Sequence, residues 1–376
     1  MNSSVSLLYL CHLGLLALAR AKSFEQKCLN FQPASAAVDD FHLTTLEYLA
    51  ANTTANIPNN DPSCNIRQQK VAASLCRMAG HVKTSEASGI WLELWLPEQW
   101  TGWRLLSTGN GGVDGCIKFP DLAYGTAHGF ATLGTNNGHD GASLQALLNN
   151  DDAAVDFSHR ALHMGTVAGR LLVEAFYGSK PKYSYYIGCS LGGRMGIQAA
   201  DMYPADYDGI VAGAPAIDFN LLQGQRAMFY NVTGAKGTAN YIELETWQGL
   251  IHDEVLRQCD GLDGVVDGII EMPSWCEFWP EALLCTDGSG HRAQSECLNA
   301  EQVEQLRRIY QDFRWPNGSV LFPRMNPGNE VTATEKLLAG KPFNYSVTGT
   351  CHDTALRQFS SATQSIQAAS KHTQHR

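Results

Sequence analysis

Apolar and polar positions follow two different periods along the first 217 residues. From Ser88 to Ser107 apolar residues alternate along the chain, and Gly and Pro interrupt the alternation. This pattern predicts two strands joined by a turn. Helical spacing predicts a long helix over 156–178, capped by Gly178, and a second helix over 191–202. Shorter apolar runs predict three further strands, at 130–134, 183–187 and 209–214. Strands alternating with helices predict an α/β fold whose parallel sheet is covered on both faces.

Beyond Pro215 the pattern changes. Strands are hard to find, and helical stretches, four cysteines and an acidic loop occupy 218 to about 343. The segment from about Thr348 is polar, without an apolar face, and we expect it to be poorly ordered. We therefore expect a core over 22–217, an inserted second domain over 218–347 and a divergent tail over 348–376.

The N-terminus predicts a secretory signal peptide over residues 1–21. The apolar run Leu7–Ala19 is short for a membrane span, and Ala19-Arg20-Ala21 fits a small-x-small cleavage site. A membrane anchor is the alternative, because no Lys or Arg precedes the run. No later segment is long and apolar enough to span. We expect a secreted, extracellular protein without membrane contact after cleavage.

Cysteine content fits that compartment. Cleavage would remove one of eleven cysteines and leave an even number, which favours disulfides, and none of the spacings resembles a zinc site. Four Asn-x-Ser/Thr sites predict N-glycosylation, at Asn52, Asn231, Asn317 and Asn344. The net charge of −10 and the lack of a basic run argue against nucleic acid as a partner.

Gly188-Cys189-Ser190-Leu191-Gly192 matches the G-x-S-x-G nucleophile elbow. The predicted strand before it and helix after it are the context that this motif requires. Glycines two residues either side of Ser190 would avoid collisions at a sharp turn, and the Leu191 N–H would face a developing oxyanion. The alternative is a glycine-rich turn whose serine only caps the helix.

A second oxyanion donor is expected from the glycines at 109–112. They follow an apolar strand, where α/β-hydrolases keep their other N–H, so Gly111 or Gly112 is the candidate. A dinucleotide-binding loop is the alternative. It is disfavoured because the next glycine comes one place late and Pro120 interrupts any following helix.

An acidic loop at 259–276 predicts a structural calcium site. Asp260, Asp263 and Asp267 are crowded enough to need a cation, and the Val265 and Ile269 carbonyls are candidate further ligands. The spacing is not that of an EF-hand. A solvated acidic turn is the alternative.

Together these stretches resemble the fungal tannase and feruloyl esterase family. The resemblance lies in "STGNGG", "HRALHMGTVAGRLLVEAFYG", "IGCSLGGRMGIQAADMYPADYDGIVAGAPA" and "CDGLDGVVDGII", and covers roughly Phe24 to Phe343. It implies an α/β-hydrolase with an inserted calcium-binding lid. It also implies hydrolysis of aromatic carboxylic esters, such as feruloyl groups on plant cell-wall polysaccharide or galloyl groups in tannins. Ser190 would be the nucleophile.

Lid aromatic residues could stack on a phenolic ring or simply form core: Phe229, Tyr241, Trp247, Trp275 and Trp279. The resemblance also implies four disulfides, Cys28–Cys76, Cys64–Cys116, Cys259–Cys276 and Cys285–Cys297. It further implies that Cys189 pairs with a cysteine directly after the catalytic histidine.

The C-terminal part departs from the family pattern. The family's catalytic Asp and His follow the lid, but this chain contains no His-Cys dipeptide, and Cys351-His352-Asp353 has the residue types in reversed order. We therefore interpret the sequence as truncated or altered at its C-terminus, with Cys189 lacking its normal partner and little activity expected. Two further hypotheses stay open, a non-catalytic secreted calcium-binding glycoprotein with this fold and another serine hydrolase such as a lipase or peptidase.

Overall fold

The computed structural model describes residues 23–33, 41–285, 296–333, 338 and 340. The predicted signal peptide, the C-terminal tail, Asn344 and Cys351-His352-Asp353 lie outside the described residues. Within them, no helix has the length and apolar character needed to traverse a bilayer. Asn52, Asn231 and Asn317 are exposed, as glycosylation would require.

A seven-stranded sheet forms the centre of the first 217 residues, in the spatial order β1-β4-β5-β7-β6-β8-β9. Its strands are β1 (Phe41–Leu49), β4 (Leu75–Lys83), β5 (Gly89–Pro97), β6 (Arg104–Thr108), β7 (Ala131–Thr135), β8 (Tyr183–Cys189) and β9 (Gly209–Gly213). A hairpin of β2 (Thr54–Asn56) and β3 (Gln68–Lys70) lies outside the sheet. The predicted strands at 130–134, 183–187 and 209–214 are all present within one or two residues.

The sheet is mixed, which corrects the prediction of a parallel sheet. β7, β6, β8 and β9 are parallel neighbours, whereas β1, β4 and β5 pair antiparallel and β5 joins β7 antiparallel. The two strands predicted between Ser88 and Ser107 exist as β5 and β6, but β7 lies between them. β1 and β4 were not predicted. Thus the α/β class is confirmed, with a mixed central sheet.

Helices cover the sheet on both faces. They are α1 (Phe24–Leu29), α2 (Phe119–Ala127), α3 (Asp151–Val155), α4 (Ala161–Tyr177) and α5 (Leu191–Met202). Pro120 lies in the first turn of α2, where its missing N–H costs nothing, so the expectation that it interrupts a helix after the 109–112 glycines is wrong. A π-helical turn over Asp156–Arg160 leads into α4, so the predicted helix over 156–178 is present in two parts. Gly178 ends α4 with a φ of 77°, as a C-capping glycine should.

Two glycines bring α4 close to the sheet. A Cβ on Gly165 would lie 2.5 Å from Thr135 Cγ2, and one on Gly169 would lie 2.4 Å from Leu133 Cδ2. Both contacts are far below van der Waals separation, so the helix could not approach β7 this closely with larger residues. The close approach places α4 against a fully buried core that includes Leu92.

A buried carboxylate fastens the β4–β5 turn to the π-helical turn. Asp156 is fully buried, and its Oδ2 accepts hydrogen bonds from the hydroxyls of Thr84 and Ser88, both at 2.6 Å. Its Oδ1 accepts a hydrogen bond from Arg160 Nε at 2.5 Å. Because this charge is paired and hydrogen-bonded on both oxygens, its burial is compensated.

The described residues after 217 build a second hydrophobic core of their own, around the fully buried Trp247. Their elements are α6 (Phe219–Thr233), α7 (Leu244–Thr246), α8 (His252–Cys259), α9 (Ala300–Ile309), α10 (Glu330–Ala333) and the short pair β10 (Phe313–Arg314) and β11 (Val320–Phe322). Inside this core, Glu330 is fully buried and accepts hydrogen bonds from the Gly328 N–H and the Tyr310 hydroxyl, with His252 Nδ1 2.9 Å from its other oxygen.

Candidate active site

Ser190 lies at the junction of β8 and α5, at the C-terminal edge of the parallel strands. Its φ of 61° and ψ of −115° place it in a region that L-residues rarely occupy. Three hydrogen bonds hold this conformation: the Ser190 N–H donates to Gly213 O at 2.9 Å, and its carbonyl accepts from the N–H groups of Arg194 and Ala216 at 3.0 and 3.1 Å. Ser190 is exposed, so the strained turn presents it to solvent.

Glycines at positions 109, 188 and 192 allow three backbone segments to meet beneath Ser190. A Cβ on Gly188 would lie 2.7 Å from the Gly192 carbonyl carbon, and one on Gly109 would lie 2.7 Å from Gly192 Cα. The buried Tyr186 hydroxyl fills the space between them and donates to Gly192 O at 2.6 Å. The structure therefore shows the crowding that explains glycine at 188 and 192. Gly109 and the Tyr186 hydroxyl pack against the same place, so they are part of this close contact.

The two glycines proposed as second oxyanion donors differ in the structure. The Gly111 N–H donates to Asp114 Oδ1 at 3.3 Å, whereas the Gly112 N–H has no acceptor among the described residues. Gly112 has a φ of 59°, and Gly109 brings this loop against the elbow. Leu191 is the first residue of α5, so its N–H has no acceptor within the helix. The N–H groups of Gly112 and Leu191 are therefore the better candidate pair of oxyanion donors.

Arg194, which sequence reasoning missed, packs under the elbow in the first turns of α5. Its guanidinium donates to the carbonyls of Ser158 and Phe157 at 3.2 and 3.1 Å, and lies 5.3 Å from the ring centres of Phe157 and Phe219. Burial lowers its pKa to about 10. Among the described residues it forms no ion pair with a carboxylate. Arg194 therefore ties α5 to the π-helical turn.

No histidine among the described residues hydrogen-bonds to Ser190. The part of the chain that the structure describes holds one His–Asp pair, in which His163 Nδ1 lies 2.7 Å from Asp206 Oδ2. The His163 ring stacks on that of Tyr203, with ring centres 3.9 Å apart. However, Tyr203 follows the last residue of α5, roughly 20 Å along the helix axis from Ser190. This pair lies at the opposite end of α5 from Ser190, too far away to accept a proton from it, and His352 lies outside the described residues.

His139 is buried behind the 109–116 loop. Its Nε2 lies 3.2 Å from Val113 O, and its Nδ1 has no partner in the described part of the chain. Burial is the main cause that lowers the pKa of His139, so its ring is neutral near neutral pH. Because the His139 ring contacts the backbone of the 109–116 loop, its position is that of a residue that supports this loop.

All four disulfides implied by the resemblance are present: Cys28–Cys76, Cys64–Cys116, Cys259–Cys276 and Cys285–Cys297. Cys189 has a free, exposed thiol, the one such cysteine among the described residues. Cys189 lies beside Gly213 at the C-terminal end of β9. The thiol is therefore accessible beside the candidate nucleophile.

The acidic loop supplies oxygen atoms but does not gather them around one point. The buried Asp260 carboxylate accepts hydrogen bonds from the N–H groups of Asp267 and Gly268 at 3.1 to 3.3 Å. Asp263 accepts from the Val265 N–H at 2.9 Å, and Asp267 accepts from the Ile269 N–H at 3.1 Å. Among the described residues, no group of three or more His, Cys, Asp or Glu side chains is arranged to hold a metal. The oxygen-only donor set suits calcium chemically.

The five aromatic side chains named as candidates to stack on a phenolic ring divide into two groups. Phe229, Tyr241 and Trp247 are buried and belong to the core. Trp275 and Trp279 are 60% and 66% exposed, which leaves their rings available for contact with another molecule.

Comparisons with known proteins give one family. A family model described as tannase and feruloyl esterase matches residues 76–375. That match runs past residue 343 and so includes most of the segment predicted as a tail. The chain is 48% identical over 331 residues to a protein named "Probable feruloyl esterase B-2" from Aspergillus flavus, covering 88% of this chain and 62% of that protein.

Solved structures agree with these matches. The crystal structure of feruloyl esterase B from Aspergillus oryzae superposes with a TM-score of 0.80 at 39% identity, covering 86% of this chain and 63% of that one. Tannin acyl hydrolase from Aspergillus niger superposes with a TM-score of 0.61 at 22% identity, a likeness of fold alone. The chain thus spans about 62% to 63% of the length of the two feruloyl esterases it matches.

Proposed function

The chain belongs to the tannase and feruloyl esterase family, and on that premise we propose that it is a secreted serine esterase for aromatic carboxylic esters. The observation that supports this most is the conformation of Ser190, which is held exposed at a strained turn by three backbone hydrogen bonds. Such strain at a helix N-terminus is expected of a nucleophile, whereas a serine that only caps a helix does not require it. The fold would be an α/β-hydrolase whose residues 218–347 form a lid.

In the proposed mechanism Ser190 Oγ attacks the ester carbonyl while a histidine accepts its proton. The Leu191 and Gly112 N–H groups stabilise the oxyanion, and the N-terminal end of α5 adds its favourable dipole. The alcohol leaves, and water then releases the acid from the acyl-enzyme. Exposed Trp275 and Trp279 are candidates to stack on a phenolic acyl group such as feruloyl or galloyl.

A second candidate function follows from the absence of any described histidine in hydrogen-bond contact with Ser190. In this alternative the chain is a non-catalytic, secreted, calcium-binding glycoprotein that keeps the fold. Without a base, turnover falls by roughly 10⁴ to 10⁶.

Activity-based labelling of the purified 376-residue chain separates the two functions. If a base within the chain activates Ser190, a fluorophosphonate probe should label the wild type and not Ser190→Ala, whereas Ser179→Ala, at another exposed serine, should be labelled as the wild type is. Labelled protein should cleave methyl ferulate or methyl gallate faster than a short aliphatic ester. Absence of Ser190-dependent labelling would favour the non-catalytic function, and a preference for the aliphatic ester would indicate a general esterase.

A further inference from the structure

A cavity of about 460 Å³ opens beside the 109–116 loop, within the size range of small-molecule sites. Its floor is the sheet face that carries Arg77, Trp91 and Glu93. Alternate residues of the same strands, such as Leu92, pack against α4. Because successive strand residues point to opposite faces, the cavity lies on the face away from α4.

Three loops form the walls of this cavity: 56–64, 109–116 and 136–141. They are fastened to one another. The Cys64–Cys116 disulfide joins the first to the 109–116 loop. The Gly115 N–H donates to Gly141 O at 2.9 Å, and the Ala142 N–H donates to Ser63 Oγ at 2.8 Å. These cross-links fix the walls before any ligand arrives, which lowers the conformational entropy lost on binding.

The charged groups of the lining exclude anions. Four carboxylates, of Glu47, Asp61, Glu93 and Asp140, face one guanidinium, that of Arg77. Arg77 and Glu93 are 5% and 1% exposed and form two hydrogen bonds to each other, at 2.6 and 3.0 Å. Arg77 is therefore neutralised, and a phosphate or free carboxylate ligand would meet uncompensated negative charge.

At the mouth the carboxylates keep free acceptor oxygens. Asp140 Oδ1 accepts from Asn136 Nδ2 at 2.9 Å, and Asp61 Oδ1 accepts from the Ser63 N–H and hydroxyl. Neither second oxygen has a partner among the described residues. Both can accept hydrogen bonds from hydroxyl groups, which are the donors that such oxygens suit.

An aromatic surface completes the lining. The half-buried Trp91 meets the exposed His81 ring edge-on, with ring centres 4.6 Å apart. An apolar ring face beside carboxylates and amides suits a ligand that has both C–H faces and hydroxyl groups. We propose that this cavity binds a neutral saccharide, as the subsite for the carbohydrate part of an ester whose carbonyl lies at Ser190.

The position of the cavity supports that connection, which rests on the proposed function. Gly115 lines the cavity and follows Gly112, the candidate oxyanion donor, by three residues. Three peptide units span at most roughly 11 Å. The wall of the cavity at Gly115 therefore lies within about 11 Å of the candidate oxyanion donor, which is the distance that the carbohydrate part of the ester would have to cover.

Calorimetry with unesterified arabinoxylan oligosaccharides tests the proposal on the full chain and needs no catalysis. We expect His81→Ala and Asp140→Ala each to weaken binding about tenfold, the loss of one or two hydrogen bonds or ring contacts. Asp140→Asn, which retains one acceptor, should lose less. Asp201→Ala, at an exposed aspartate of α5 outside the cavity, should bind as the wild type does. Circular dichroism confirms that each variant is folded.

Three outcomes would overturn the inference: no heat of binding up to about 10 mM oligosaccharide, equal weakening by Asp201→Ala, or binding of a polyamine in place of the sugar. Methyl ferulate carries no sugar, so its hydrolysis tests the proposed function separately. Normal methyl ferulate cleavage without saccharide binding would refute only the subsite. Saccharide binding without ester cleavage would refute only the esterase.

Discussion

Replacing Gly109 by alanine tests whether close backbone packing beneath Ser190 holds the site together. The added Cβ would lie 2.2 Å from the Tyr186 hydroxyl and 2.7 Å from Gly192 Cα. Carbon atoms in contact prefer about 3.5 to 4.0 Å, so the 109–116 loop and α5 must separate by roughly 1 Å. Gly192 contributes backbone at this contact, so no side-chain rotation can relieve it.

We expect the free energy of unfolding to fall by about 2 kcal/mol, because overpacking of a well-filled core costs about 1 to 3 kcal/mol. For a domain the size of residues 23–217 this lowers the melting temperature by roughly 4 to 8 °C. The Tyr186→Phe background removes the nearer of the two clashes. The double variant should therefore lose less than the sum of the two single losses.

Urea unfolding followed by circular dichroism measures these changes. Gly224→Ala is the matched control, because its Cβ would meet nothing within 4 Å on α6. Alanine should stabilise that helix by up to about 1 kcal/mol. If Gly109→Ala changes stability by less than about 0.5 kcal/mol, or shifts it in the same direction as the control, the steric account of the elbow is wrong.

Three further predictions concern charged groups. Asp156→Asn should lower the free energy of unfolding by about 3 kcal/mol in urea titrations, against almost no change for the exposed Asp151→Asn. The folded-state pKa of His139 lies below its ordinary 6.5, so its contribution to stability is complete above pH 6.5 and is lost as pH falls through the folded value. Melting temperatures of His139→Gln should therefore decline less than those of the wild type on acidification; equal slopes would contradict this. If the acidic loop binds calcium, a chelator should lower the melting temperature of a calcium-loaded sample, and the double substitution Asp263→Asn with Asp267→Asn should abolish that shift. An unchanged wild-type midpoint would argue for a solvated loop.

Local rules allowed the elements around Ser190 to be predicted from sequence. Helical spacing gave α5 with the bounds Leu191–Met202. The requirement for glycine at 188 and 192 followed from sterics within one turn, and the structure shows the expected close approach. These features depend on residues a few positions apart, so a sequence contains the information directly. The disulfide pairs came from family resemblance, because spacing alone leaves many pairings open.

Tertiary structure decided which distant segments meet. Nothing local indicates that β7 inserts between β5 and β6, or that β1 and β4 extend the sheet antiparallel. The same holds for Arg194 under the elbow and for the saccharide-sized cavity behind Cys64–Cys116. Strand pairing and side-chain burial depend on contacts between residues far apart in the chain, whose free energies are settled only when the whole core packs together.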